Sequence, residues 1–370
     1  MSNKNILDKA YKQAIETIKS CSTKQGLFAS GGKKGYKGVW ARDSMITLIG
    51  ASAGDKNKSF KEQFEKSLLT LKKYQSKHGQ IANAVLHFHA KKRKVDYLSI
   101  DSSLWFIIGE YVYKKVYEGN LFKVHKKAIK KALTWLSYQD VGEDITLEQL
   151  PTTDWQDAFP HKYGRTINTQ ALYYKTLNLI GNKNEARKLK ELINKNREYK
   201  LWNGDFYYAY RWKNHKKYKE IGEWFDSLGN LLAIVFDLAK KEQAEKIISY
   251  IKKNKINLPY PVKSIYPPIK KGDKEWQDYF LDCEAGKPYH YLNAGIWPYI
   301  GGFYVLALIK LRKFKEAETE LKKLAEANIR GNFPEWINPL NKKTYGIWQA
   351  WNAGMYIAAY ESFKKKKCLI

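Results

Sequence analysis

Cysteine is nearly absent. Cys21, Cys283 and Cys368 are the only three in 370 residues, too few and too scattered for a disulfide framework or a zinc site. No run of about 18 apolar residues occurs, so no membrane-spanning helix is expected. The first twenty residues are charged throughout and lack the apolar centre of a signal peptide, which points to a cytoplasmic protein. No His/Cys cluster and no phosphate-cradling glycine loop is present, Gly31-Gly32 being too short, so neither a metal nor an organic cofactor is expected. Acidic residues are also in short supply: 37 Asp and Glu against 66 Lys and Arg leave a formal charge of +29.

Such a charge demands a test for nucleic-acid binding. The distribution argues against it. Lysines recur singly or in pairs along amphipathic segments (56–77, 123–131, 183–195 and 310–323), as solvated helix faces do, with no single arm or groove. Most are Lys, whereas Arg is the residue that reads bases bidentately. What the chain has in excess is aromatic surface: 15% of residues, with 12 Trp and 27 Tyr. Hydrophobic residues at 44% supply a sizeable core, and the length suits one large domain, residues 1–370.

Helical periodicity dominates. Amphipathic helices are expected at 4–20, 58–77, 121–139, 184–196, 241–253 and 314–327. Nearly all-apolar ones are expected at 39–52, 101–117, 166–180, 224–239, 293–311 and 347–363. Short strands fit 80–98, and residues 201–221 read as a hairpin turning at Asn203-Gly204. An apolar helix is buried, a striped one has a wet face, and short turns make partners antiparallel neighbours. Six such pairs predict an all-α fold, an (α/α)6 barrel of inner helices sheathed by outer ones, with short β-hairpin insertions. An open helical solenoid is the competing arrangement.

Polar and aromatic residues gather at the start of each inner helix: Trp40, Arg42 and Asp43; Asp101, Ser102 and Trp105; Asp154, Trp155, Asp157, Asn168 and Gln170; Glu223, Trp224 and Asp226; His290, Asn293 and Trp297; Gln349, Trp351 and Asn352. Any of these acids could simply favour a helix N-terminus, and any Trp could be core. Capping, however, does not call for tryptophan, and parallel inner helices converge at one end. Trp faces beside acids and amides suit a sugar. Glu335, between Pro334 and Trp336, lies half a ring from Asp157. Two carboxylates facing across an aromatic pocket suit glycoside hydrolysis, one giving a proton and the other activating water or attacking. The wide separation favours inversion, with roughly 6.5–9.5 Å between carboxyls.

The segments VWARD (39–43), DSSLW (101–105), DWQDAF (154–159) before INTQALYY (167–174), YHYLNAGIWP (289–298), FPEW (333–336) and IWQAWNAGMYIAA (347–359) together resemble the six-hairpin glycosidases. The nearest pattern is shared by the amylo-α-1,6-glucosidase part of glycogen-debranching enzymes and by alkaline/neutral invertases. The resemblance runs from about residue 35 to 363. It implies Asp157 as general acid, Glu335 as general base, and sugar-holding roles for Trp40, Arg42, Asp43, Asp101, Trp105, Trp297 and Gln349. One position departs: the family's Glu-Ile-Gln-Ala-Leu run is Asn168-Thr169-Gln170-Ala171-Leu172 here.

The expectation is therefore an inverting glycoside hydrolase acting on α-glucosyl linkages of an oligosaccharide or disaccharide, either debranching-like or invertase-like. Asp157 and Glu335 are the catalytic pair; Asp154, Trp155, Asn168, Gln170 and Asn293 join the substrate-binding set. Two alternatives stay open. A sugar epimerase or a lyase on the same barrel would need pocket histidines, for which His290, His87 and His89 are the candidates. A non-catalytic polyanion-binding protein would show steep salt dependence.

Overall fold

The computed structural model describes residues 3–32, 35–88, 93–195, 198–215 and 217–370. Within them lie twelve α-helices. The even-numbered ones are α2 (Ala41–Ser52), α4 (Asp101–Tyr117), α6 (Ile167–Leu179), α8 (Ser227–Val235), α10 (Pro298–Lys310) and α12 (Ala350–Lys364). The odd-numbered ones are α1 (Asn3–Cys21), α3 (Lys61–Lys73), α5 (Leu121–Ser137), α7 (Lys183–Lys195), α9 (Lys241–Lys253) and α11 (Phe314–Arg330).

Each even helix packs against the next, in the order α2, α4, α6, α8, α10, α12, and α12 packs back on α2. The odd helices lie outside this ring against their even partners, with α1 seated on α11 and α12. Burial follows the amphipathic pattern. All of α2 is buried, as is α10 except its final lysine, whereas α3, α5, α7, α9 and α11 each bury one stripe and expose a lysine-rich face. Each fully buried Leu, Ile or Phe on those stripes contributes about 1.5–3 kcal/mol relative to exposure.

The ring closes where the first and last inner helices meet, and glycine makes that approach possible. A Cβ at Gly50 would lie 2.4 Å from the Gly354 carbonyl oxygen, and one at Gly354 would lie 2.3 Å from that of Thr47. On the outer side, the Tyr356 hydroxyl donates to the Leu7 carbonyl at 3.0 Å, tying α12 to α1.

The expected helix starts shift where local chemistry intervenes. The fifth inner helix begins at Pro298 rather than 293, because Tyr291 and Ala294 adopt left-handed backbone (φ 47° and 66°) and proline is favoured as a first helical residue. The fourth begins at Ser227 instead of 224. Glu223 and Trp224 lie on a strand, and Asp226 is the N-cap, accepting from Gly229 N at 3.1 Å. The hairpin also moves. Asn203 Oδ1 accepts from the amides of Asp205 and Phe206, both at 2.9 Å, which makes a local Asx turn. The long strands are Tyr208–His215 and Tyr218–Asp226, in a four-stranded antiparallel sheet with 165–166 and 265–266. The expected strands in 80–98 appear as Ala84–Leu86 and Lys94–Asp96, paired with Gly38–Trp40.

Candidate active site

A cavity of about 110 Å³ opens at the N-terminal end of the inner ring. The start of α2 supplies Trp40, its N-cap, with Arg42 and Asp43 in the first turn. The connection between α5 and α6 supplies Trp155 and Asp157. The approach to α10 supplies Tyr291 and the N-cap Trp297, and the approach to α12 supplies Glu335, the N-cap Gln349 and Trp351. Tyr36 and Ala29 complete the wall. Asp157 and Glu335, 178 positions apart in sequence, thus line one space.

The floor and one side are aromatic. Trp351 stacks on Tyr299 (centroids 4.2 Å apart, 15° between planes), and Trp297 meets both Trp351 and Trp155 edge-on at 5.8 and 5.7 Å. Offset and edge contacts of this kind hold rings rigidly in place. The indole N–H groups of Trp40, Trp155 and Trp351, with Arg42 Nε, are buried without a protein acceptor. These are donors that a sugar hydroxyl or a water can satisfy.

Asp157 turns 42% of its side chain to the cavity, but protein walls enclose the carboxyl. That enclosure pushes its pKa up; Arg42 opposes the rise, with Nη2 3.8 Å away, while Asp154 and Asp101 add to it. Asp43 is pushed up to about 7 by burial, against the pull of Arg42. Arg42 itself is anchored from behind by Asp101, Nη1 to Oδ1 at 2.7 Å, and Ser99 Oγ donates to the same oxygen at 2.5 Å.

Glu335 is held from its own backbone. Its amide donates to the Tyr345 carbonyl at 2.7 Å, extending the hairpin of Trp336–Ile337 and Thr344–Tyr345, where the Trp336 and Tyr345 rings stack at 4.0 Å. Across the cavity, the Tyr36 hydroxyl donates to the Glu335 carboxylate at 3.3 and 3.4 Å.

Of the residues expected at the site, Trp40, Arg42, Asp43, Trp155, Asp157, Trp297, Glu335 and Gln349 line the cavity. Six others are buried around it. Asp101 carries Arg42, as described. Trp105 packs in the core against Phe236 and Phe303. Asp154 bonds Lys162 at 2.9 Å and receives Asn168 Nδ2 at 3.5 Å. Gln170 clamps both backbone groups of Leu147, and Asn293 does the same for Ile269. Sequence reasoning missed Tyr36, Tyr291 and Lys162. Tyr36 sits in a loop of Gly and Lys that carries no periodicity, and Lys162 looked like one more of the many lysines. No histidine lines the cavity among the described residues: His290 packs edge-on to Trp336 at 4.6 Å, and His89 lies outside the described residues.

A closed contact ring of six helix pairs, with carboxylates and tryptophans lining a cavity at its N-terminal end, is a fold that the chain shares with glycosidases of solved structure. Residues 219–365 match the family model described as alkaline and neutral invertase. Two relatives share 28% identity: neutral/alkaline invertase 1, mitochondrial, of Oryza sativa subsp. japonica, over 141 residues, and alkaline/neutral invertase C, mitochondrial, of Arabidopsis thaliana, over 142. Each match takes in 36% of this chain and only 22% and 21% of those relatives' lengths. The fold extends much further. A mannosylglycerate hydrolase from Thermus thermophilus superposes with a TM-score of 0.69 at 12% identity, over 94% of this chain and 99% of that one. A rhamnosidase from Klebsiella oxytoca gives 0.65 at 13%, over 98% of this chain and 64% of that one.

Proposed function

We propose that this chain is an inverting glycoside hydrolase that releases a terminal α-glucosyl residue from a small saccharide. The observation that carries the reading is the placement of Asp157 and Glu335, from two sides of the helix ring, on one tryptophan-walled cavity. At about 110 Å³ it is well below the roughly 300–1,000 Å³ of pockets for larger ligands, which suits one sugar ring held at a chain end. On this reading the six inner helices form an (α/α)6 barrel with its catalytic end at their N-termini.

In the reaction, Asp157 gives its proton to the glycosidic oxygen as the bond from that oxygen to C1 breaks. Glu335 takes a proton from a water on the opposite face, and the water oxygen bonds to C1, so the sugar leaves with inverted configuration. Burial supports the assignment of Asp157, since an acid must hold its proton near the working pH. Trp40, Trp155, Trp297 and Trp351 offer apolar faces, and Arg42, Asp43 and Gln349 offer hydrogen bonds to hydroxyls. Asp101, Asp154, Asn168, Gln170, Trp105 and Asn293 would serve by holding these groups in place.

Within this chemistry, an α-1,6-linked glucoside of the debranching type is the first substrate to test. Sucrose is the second reading, favoured by the invertase match over 219–365, which contains Glu335, Tyr291, Trp297, Gln349 and Trp351. The chain is incubated with isomaltose, panose, sucrose, maltose, trehalose and a limit dextrin, and products are followed by proton NMR. β-Glucose as the first-formed anomer is expected. Asp157→Asn and Glu335→Gln should each lower kcat by at least about 10²-fold with circular dichroism unchanged. Near-normal turnover in either variant would remove that residue from its role.

A further inference from the structure

Five residues beyond Asp157, the same connection carries Lys162, a lysine with no exposed surface. An ammonium has three protons, and this one meets three acceptors: Asp226 Oδ2 at 2.7 Å, Asp154 Oδ2 at 2.9 Å and Gln156 Oε1 at 2.5 Å. Burial of a lysine is tolerated only with such partners, and here the two carboxylates outweigh the desolvation that would lower its pKa. Each acceptor leads to a different element. Asp226 caps α8, and Asp154 accepts from Gln156 N at 2.9 Å and from Asn168 of α6 at 3.5 Å. Neither α6 nor α8 contributes a residue to the cavity wall.

We infer that Lys162 is a positioning residue for the acid step: it binds the connection carrying Asp157 to the starts of α6 and α8 and balances Asp154, without touching substrate. The inference rests on the reading of Asp157 as the general acid. The groups facing Asp157 set the sign of its consequences. They are Arg42 and Asp43 on α2, Asp101 on α4, Asp154 in its own connection, and Tyr36, paired with Glu335, across the cavity. Of these, Asp154 raises the proton affinity of Asp157, and Lys162 is the cation that offsets Asp154.

Two variants should therefore move the alkaline limb of the kcat/KM profile in opposite directions, because that limb marks loss of the acid's proton. Lys162→Met leaves Asp154 unbalanced and shifts the limb up by about one pH unit; Asp154→Asn shifts it down by a similar amount. A second readout separates positioning from general damage. On an O-glycoside, Lys162→Met should cost on the order of 10²-fold in kcat. On α-glucosyl fluoride, whose leaving group departs without a proton from an acid, the loss should stay below about tenfold. Should Lys162→Met fold poorly, Lys162→Met with Asp226→Asn removes a carboxylate together with the ammonium and keeps a capping side chain, and the same split between substrates is expected. Equal losses on both substrates, or limbs that do not move, would overturn the role of Lys162 while leaving the hydrolase reading intact. A wild-type chain inert toward the fluoride and toward every O-glycoside would remove both.

Discussion

Gly346 offers a direct test of how Glu335 is placed. It lies just after the hairpin that holds Glu335 and has left-handed backbone, φ 64°. A Cβ there would sit 2.7 Å from Glu335 Cβ, 3.2 Å from its amide nitrogen and 3.3 Å from Oε2. Carbon atoms in contact prefer about 3.5–4.0 Å, so Gly346→Ala requires Glu335 to retreat by roughly 1 Å. A misplacement of about 1 Å costs on the order of 10²-fold in rate, equivalent to about 2.7 kcal/mol of activation free energy. The backbone term is smaller. A left-handed alanine costs about 1–2 kcal/mol, partly offset by about 0.4–1 kcal/mol from the stiffer unfolded chain. Gly181→Ala isolates that term, since Gly181 has φ 84° with nothing within 4 Å of a Cβ. Gly181→Ala should lose about 1 kcal/mol in denaturant unfolding, and Gly346→Ala that amount plus about 1–3 kcal/mol of overpacking, but only Gly346→Ala should lose kcat, with KM little changed. If Gly346→Ala retains kcat within about threefold, the placement of Glu335 by the hairpin does not matter for turnover.

Two further predictions concern buried charge. Asp43, pushed up to about 7 by burial, keeps a proton in the folded chain that the unfolded chain releases near pH 4. Its contribution to stability is therefore full below about pH 4 and is lost as pH rises through about 7. Denaturant unfolding should show stability falling across that window, by at most about 4 kcal/mol from this group, and Asp43→Asn should flatten the slope. The second is the Glu110–His125 pair, fully buried between α4 and α5 with Nδ1 2.5 Å from Oε1. His125→Leu strands Glu110, whose pKa burial already raises, and should cost about 3–5 kcal/mol. The double variant His125→Leu with Glu110→Met should recover most of that loss, and a double variant as unstable as the single would refute the pairing.

Helices were legible from sequence because an apolar stripe or an apolar run follows directly from what each helix packs against. Their starts were less so: Pro298 and Ser227 begin their helices where left-handed residues and a strand end, and neither event has periodicity. Four of the six clusters of acids, amides and tryptophans, those leading into α2, α6, α10 and α12, do meet at the cavity and were readable, since capping alone does not select Trp; those of α4 and α8 do not reach its wall. Their division of labour was not readable. In one dimension Asp157 stood apart as the candidate acid, but Asp101 and Asp154 read as sugar-holding just like Asp43. Folded, Asp101 sits behind Arg42 and Asp154 beneath Lys162, while Asp43 and Asp157 reach the cavity.

By itself, then, the sequence determined the number and kind of helices, their pairing, and the residue types gathered at one end, because these depend on short-range periodicity and local chemistry. Only the tertiary structure decided that α12 closes on α2, that Tyr36 reaches Glu335, and that one lysine among dozens is buried between two aspartates. Those outcomes depend on contacts between residues tens to hundreds of positions apart. Burial, which gives an ordinary lysine fixed carboxylate partners and raises the proton affinity of an ordinary aspartate, exists only once those contacts form.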